Sequence, residues 1–307
     1  TMERPVTDNH GHGTHTAGTA VGGSLGVAGA AEVVAVKVLD RFGRGQVSSV
    51  VRGIQWAVDD AARNGARASV LSMSLGGARS EVLDSAARAA SRQGHIVVVA
   101  AGNSGADACR YSPAGAGGNG RNGGVITVGA TDLTDARPPF SSFGACTDLL
   151  APGVAITSAA HGSRTGTRVM TGTSMAAPHV AGVAAVLLQQ HGFNKSAAVT
   201  DLFALAVQGR VSNVPAGTPN LLLQAPRCAD APPATLAPGV AEAALCVFPG
   251  GAPCFALARA DFGFDYASLR WPDVTARLGN ATQPLCRRTK AFRGRFVVTR
   301  ASSLCSD

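Results

Sequence analysis

Nowhere in its 307 residues does this chain hold an apolar run of membrane-spanning length. The runs Ile96 to Ala101 and Val180 to Leu188 fall well short of the roughly 18 to 20 residues that a spanning helix needs, so no membrane span is expected. Lysine is scarce: Lys37, Lys195 and Lys290 are the whole complement, although Lys and Arg together number 27 against 19 acids, a formal charge of +8. A polyanion partner calls for clustered cations. Here the arginines are scattered among Ala and Gly, which reads as compositional bias. The densest group, Arg287, Arg288, Lys290, Arg293 and Arg295, reads as a solvated face, and no nucleic-acid-binding motif accompanies it. His10, His95, His161, His179 and His191 lack metal-ligand spacing, which argues against a histidine-held metal centre. No organic cofactor is expected.

What is present suffices for a large core, with 46% hydrophobic residues. Val33 to Leu39, Ser69 to Leu75, His95 to Ala101 and Val125 to Ala130 read as buried strands. Val47 to Asn64, Ser80 to Gln93 and Ser174 to Gln190 read as helices. That alternation predicts an α/β fold, a mainly parallel sheet with helices on both faces. In such folds functional groups gather where strands end and loops turn. Ala114 to Gly124 is rich in Gly and Asn and reads as a mobile surface loop. After Leu223 a Pro/Ala-rich stretch through Gly239 marks a boundary near residue 226. Residues 1–226 form one domain and 227–307 a small Cys-rich C-terminal region, with short candidate strands at Cys254 to Ala258 and Arg295 to Arg300.

Three blocks carry chemistry. In Gly172-Thr173-Ser174-Met175-Ala176-Ala177-Pro178-His179 a serine sits on a Gly-rich turn entering an Ala-rich helix. A hydroxyl attacks at neutral pH only with a base in reach and a donor for the developing oxyanion. His12, in Asn9-His10-Gly11-His12-Gly13-Thr14-His15, is the candidate base. Asn103, in Ala100-Ala101-Gly102-Asn103-Ser104-Gly105, is the candidate donor. Singly, each has a plain structural explanation: a buried hydrogen-bonded histidine, a helix cap and a left-handed turn residue.

Together, and in this order, the blocks resemble the subtilisin-like serine peptidases over about residues 8 to 225. Ala100-Ala101-Gly102-Asn103 and Tyr111-Ser112-Pro113-Ala114 look closest to the proteinase K branch. The resemblance implies a serine endopeptidase with Ser174 as nucleophile, His12 as general base, Asn103 as oxyanion donor and His15 as a structural histidine. It also implies that Ser74, Leu75, Gly76, Gly77, Ala100, Ala101, Gly102 and Thr173 line the substrate. No acid stands in these segments, so broad or apolar preference is expected. Protein or peptide substrates and an own propeptide are the implied partners.

The family's catalytic aspartate, in an Asp-Thr/Ser-Gly motif ending the first core strand, has no match here. The chain is expected to begin after that strand. Asp8 lies where the family often carries an acid outside the triad. Cys109 and Cys146 match a disulfide of proteinase K-like relatives. Asp148 matches a calcium-ligating aspartate whose other ligands are backbone carbonyls before Val125, so a structural Ca2+ is implied; taken alone, Asp148 could equally cap its own turn.

The cysteines, with the sequons Asn194-Lys195-Ser196 and Asn280-Ala281-Thr282, suggest a secreted glycoprotein. Cys228, Cys246, Cys254, Cys286 and Cys305 are odd in number and cannot all pair among themselves. An alternative function follows from the missing aspartate: a catalytically idle scaffold that binds through its C-terminal region.

Overall fold

The computed structural model describes residues 7–66 and 68–226, and the backbone of further strands at 243–247, 253–257 and 295–298. The chain divides into two units, Thr1–Ala225 with Phe292–Asp307, and Pro226–Ala291.

The first unit is built on an α/β sheet. Its strands are β1 (Glu32–Ala35), β2 (Ser69–Met73), β4 (Ile96–Ala100), β6 (Ile126–Thr131), β7 (Leu149–Pro152), β10 (Val207–Gln208), β11 (Leu221–Leu222) and β14 (Arg295–Val298). They lie in the order β1-β14-β2-β4-β6-β7-β11-β10. Every pairing is parallel except β10 with β11. Three small two-stranded pairings stand apart: β3 (Gly77–Ala78) with β5 (Tyr111–Ser112), β8 (Ile156–Ala159) with β9 (Thr167–Met170), and β12 (Ala243–Val247) with β13 (Pro253–Leu257). The last is the described part of the second unit, and there Cys246 stands opposite Cys254 in register. The helices are α1 (His12–Val21), α2 (Val47–Arg63), α3 (Glu81–Arg92), α4 (Thr173–Gln190) and α5 (Lys195–Leu205).

Continuous apolar runs form the central strands because both sheet faces are covered. Side chains alternate across a strand, and β4 shows the result. Ile96, Val98 and Ala100 enter a core with Ala17 and Ala20 of α1 and Ala176, Val180 and Val183 of α4. Val97 and Val99 enter a second core with Ile54 and Ala57 of α2 and Leu83 and Ala87 of α3. The strand therefore has no solvent face, and periodicity of two is hidden in its sequence.

Most expected elements are present within a residue or two. The first strand stops at Ala35, yet Val36 and Val38 remain buried against α2. The expected tail strand beginning at Arg295 runs to Val298 and pairs between β1 and β2 in the main sheet. Helix α5 was not anticipated: Lys195-Ser-Ala-Ala-Val-Thr-Asp lacks a strong apolar stripe, and its start is set by Asn194, whose side chain accepts from the Ala197 amide at 3.1 Å. Asn194 is exposed. Asn280, Cys228, Cys286, Cys305 and Arg287, Arg288, Lys290 and Arg293 lie outside the described residues. Among the described residues no helix is long and apolar enough to cross a membrane.

The stretch 114–124 differs from the expected surface loop. It folds into two 3-10 turns, Ala114–Ala116 and Gly120–Asn122, with Ala114 and Ala116 buried. Beside it Cys109 and Cys146 form a disulfide, with Cα atoms 5.2 Å apart across a separation of 37 residues. In the chain-entropy account, closing such a loop contributes about 4 kcal/mol. Replacing both cysteines by serine is expected to lower stability by that order, measured as the loss in unfolding free energy by urea titration at neutral pH.

Candidate active site

Helix α1 presents His12 at its first position. Gly11 precedes it with φ 92°, and Asp8 organises the turn. One Asp8 carboxylate oxygen accepts the amides of His10 and Gly11 at 2.9 and 2.8 Å; the other accepts the Thr14 amide at 2.8 Å and the Thr14 hydroxyl at 2.7 Å. Both oxygens are thus committed to the start of α1, where the helix dipole also favours an anion. This makes Asp8 an anchor of the His12 turn. Burial pushes its pKa up, but the Gly11, Thr14 and His10 amides and the Thr14 hydroxyl outweigh that and hold it below 3.8.

One turn further, His15 is fully buried. Its Nε2 lies 2.9 Å from the Ile156 carbonyl and 3.0 Å from that of Arg168. Acceptors on both sides require Nε2 to carry the proton. Ser158 Oγ donates to the His15 carbonyl at 2.9 Å, so α1 is fixed to the β8–β9 hairpin through side chain and backbone. Burial lowers the His15 pKa, which keeps the ring neutral. His15 lies inside and His12 is half-buried at the helix start.

Ser174 is the second residue of α4. The helix follows Gly172, whose φ of 153° and ψ of 164° favour glycine. A β-carbon there would also stand 3.2 Å from Asn103 Nδ2. Asn103 itself is clamped. Its Oδ1 accepts from the Thr173 amide at 2.8 Å and from the Thr173 hydroxyl at 2.9 Å, and Thr173 Oγ1 accepts from the Gly102 amide at 3.1 Å. An amide N–H can meet only an oxygen, so these contacts fix which end of the carboxamide is Oδ1. Nδ2 is left as the outward donor, on an exposed residue beside the start of α4.

Ser74, an expected lining residue, also makes a long-range contact. It is 8% exposed, and its Oγ donates to the Ser174 carbonyl at 2.7 Å. The Ser174 hydroxyl faces back toward the Ser74 carbonyl at 3.5 Å, the outer limit of a hydrogen bond. Ser74 therefore braces the Ser174 backbone across a separation of 100 residues, which no local pattern could reveal. Of the other expected lining residues, Gly76 and Gly77 are exposed and Leu75 and Gly102 partly so. Ala100 and Ala101 lie inside, with the Ala101 amide bonded to Val128 O at 2.9 Å. Gly77 pairs with Ser112.

Asp148 immediately precedes β7. Its oxygens accept the amides of Gly118 at 3.0 Å, Gly120 at 2.8 Å and Thr127 at 2.8 Å. Calcium requires six to eight oxygens facing it, whereas here amide hydrogens converge on the carboxylate. The residues present do not fit the implied cation. Among the described residues no group of three or more His, Cys, Asp or Glu is placed to hold a metal.

A serine at the N-terminus of α4, a braced histidine helix and a carboxamide clamped after β4 make up the candidate site. Comparison with known proteins identifies the family. The subtilase family model matches residues 1–213, and the chain belongs to the subtilase family. It is 49% identical over 219 residues to "Subtilisin-like protease 2" of Pseudogymnoascus destructans, covering 71% of this chain and 52% of that protein. It is 43% identical over 235 residues to "Alkaline protease 2" of Aspergillus fumigatus, covering 70% and 46%. The chain thus spans about half the length of the curated relatives it matches. The solved structure of a cold adapted subtilisin-like serine proteinase aligns with a TM-score of 0.65 and 42% identity, over 72% of this chain and 77% of that one.

Asp8→Ala is expected to destabilise the protein by about 1 to 2 kcal/mol through loss of capping at α1. Because the folded-state pKa of Asp8 is depressed, its contribution is present above pH 3.8 and lost as pH falls through the lower folded value. Wild type and Asp8→Ala should therefore converge in stability under acid conditions, as read by urea titration across pH.

Proposed function

We propose that the chain is the catalytic part of a serine endopeptidase. The observation that carries this reading is the Thr173–Asn103 clamp, which aims a carboxamide donor beside Ser174. In this reading His12 removes the Ser174 proton as the hydroxyl oxygen attacks a peptide carbonyl. The carbonyl oxygen gains the negative charge, and Asn103 Nδ2 and the Ser174 amide hold it. The N-terminal partial charge of α4 adds to that field. Collapse of the tetrahedral intermediate expels the amine, to which His12 returns the proton, and leaves an acyl group on Ser174. Water, activated by the same imidazole, then releases the acid and restores the hydroxyl.

The exposed backbone at Gly76 and Gly77 offers main-chain hydrogen bonds to an extended peptide, a mode of binding with little selectivity. Broad or apolar preference follows, and a peptide-library digest dominated by cleavage after Lys-Arg pairs would overturn it. The Cys109–Cys146 disulfide supports a secreted enzyme, since such bonds persist in oxidising compartments.

The direct test is intact mass after treating the naturally processed protein with a serine-directed fluorophosphonate. Single labelling that Ser174→Ala abolishes is expected; a folded protein that takes no label would refute the reading. In unlabelled enzyme Asn103→Leu should lower kcat by about 10²- to 10³-fold, the loss seen when subtilisin loses its own oxyanion asparagine. An unchanged kcat would remove Asn103 from its role.

A further inference from the structure

The segment between Ala114 and Val125 lies where the family resemblance places calcium ligands, and several of its polar groups are held from within the chain. On one side the buried Asp148 carboxylate gathers the Gly118, Gly120 and Thr127 amides. These N–H dipoles direct positive charge at the oxygens a cation would need. The fit is close: a β-carbon on Gly120 would stand 3.0 Å from Asp148 Cγ and 3.0 Å from Ile126 Cγ1. On the other side, the Gly123 carbonyl accepts from Lys195 Nζ at 2.8 Å and from Ser91 Oγ at 2.7 Å. Two donors occupy both lone pairs of that oxygen. The same ammonium donates to the Ser91 carbonyl at 2.6 Å and to Ser91 Oγ at 2.9 Å.

We infer that the Lys195 ammonium and the amides gathered on Asp148 take the place of a metal ion in holding this segment, so that its order is independent of calcium. The surrounding charge agrees. A cavity of about 310 Å³ beside the segment is lined by Arg88, Arg92, Ser91 and Gly123 among others, and the guanidinium of Arg92 there disfavours a dication. The nearby carboxylate of Glu81 is taken by Arg88 at 3.1 Å and Arg79 at 3.4 Å. Lys195 is one of only three lysines in the chain. Its ammonium joins three elements: the last turn of α3 at Ser91, the loop at Gly123 and the start of α5.

The test is hydrogen–deuterium exchange over residues 114–127 of the naturally processed protein, in excess calcium and in excess EDTA. Wild type is expected to show the same protection in both. Lys195→Met is expected to lose protection at the Gly118 to Gly124 amides and to lower Tm by about 5 °C, the scale of a lost charge-assisted hydrogen bond in a domain of this size. If Lys195→Met does not fold, Ser91→Ala, which removes one of the two donors to Gly123, should show a smaller loss of protection in the same segment. Protection of 114–127 in wild type that rises with calcium and falls with EDTA would overturn the inference. Unchanged protection in the folded Lys195 variant, or in Ser91→Ala where that variant does not fold, would do so equally. Neither outcome bears on fluorophosphonate labelling of Ser174, so the two readings stand or fall separately.

Discussion

The start of α4 is the constraint on which the site depends. Helix N-termini leave backbone amides without intrahelical partners, and they are normally met by a capping side chain from the same turn. Gly172 provides none. The Thr173 amide is met instead by Asn103, from the loop after β4, and the Ser174 carbonyl receives Ser74, from the end of β2. Helix and sheet therefore meet through hydrogen bonds that join segments 70 and 100 residues apart. Ser174 is positioned by the sheet's two neighbouring strand ends.

The histidine side is built on the same plan. Asp8 sets the entry to α1, and His15 and Ser158 tie the helix to the β8–β9 hairpin. Apolar burial supplies the foundation, since α1 and α4 share one core under the sheet. Polar contacts set the orientation of each helix on that foundation.

Much of this was legible in the sequence, for identifiable reasons. The strands β2, β4 and β6 are short β-branched runs between helical stretches, and α2 and α3 carry clear apolar faces, so element type and order could be read directly. The residues Gly172, Ser174, His12 and Asn103 stand in compact blocks that could be recognised. Less legible were features whose cause lies far away in the chain. Nothing near Ser74 shows that its hydroxyl reaches Ser174. The glycines and asparagines of 114–124 read as a loose surface loop because the groups that order them, Asp148 and Lys195, are distant in sequence. Helix α5 carries no such signal because its apolar residues do not fall on one face, and Arg295–Val298 reads as part of the tail because parallel strand pairing leaves no local signature.

The Asn103 clamp has a consequence for the energetics of any reaction at Ser174. A carboxamide free to rotate would have to choose its orientation as charge develops, and that reorganisation would add to the barrier. Here Thr173 offers two donors to the oxygen end, and turning the group over would set an N–H hydrogen against the Thr173 amide, which can only donate. The direction of the dipole is thus decided when the protein folds, before any ligand arrives, and the electric field at Ser174 is a property of the resting molecule.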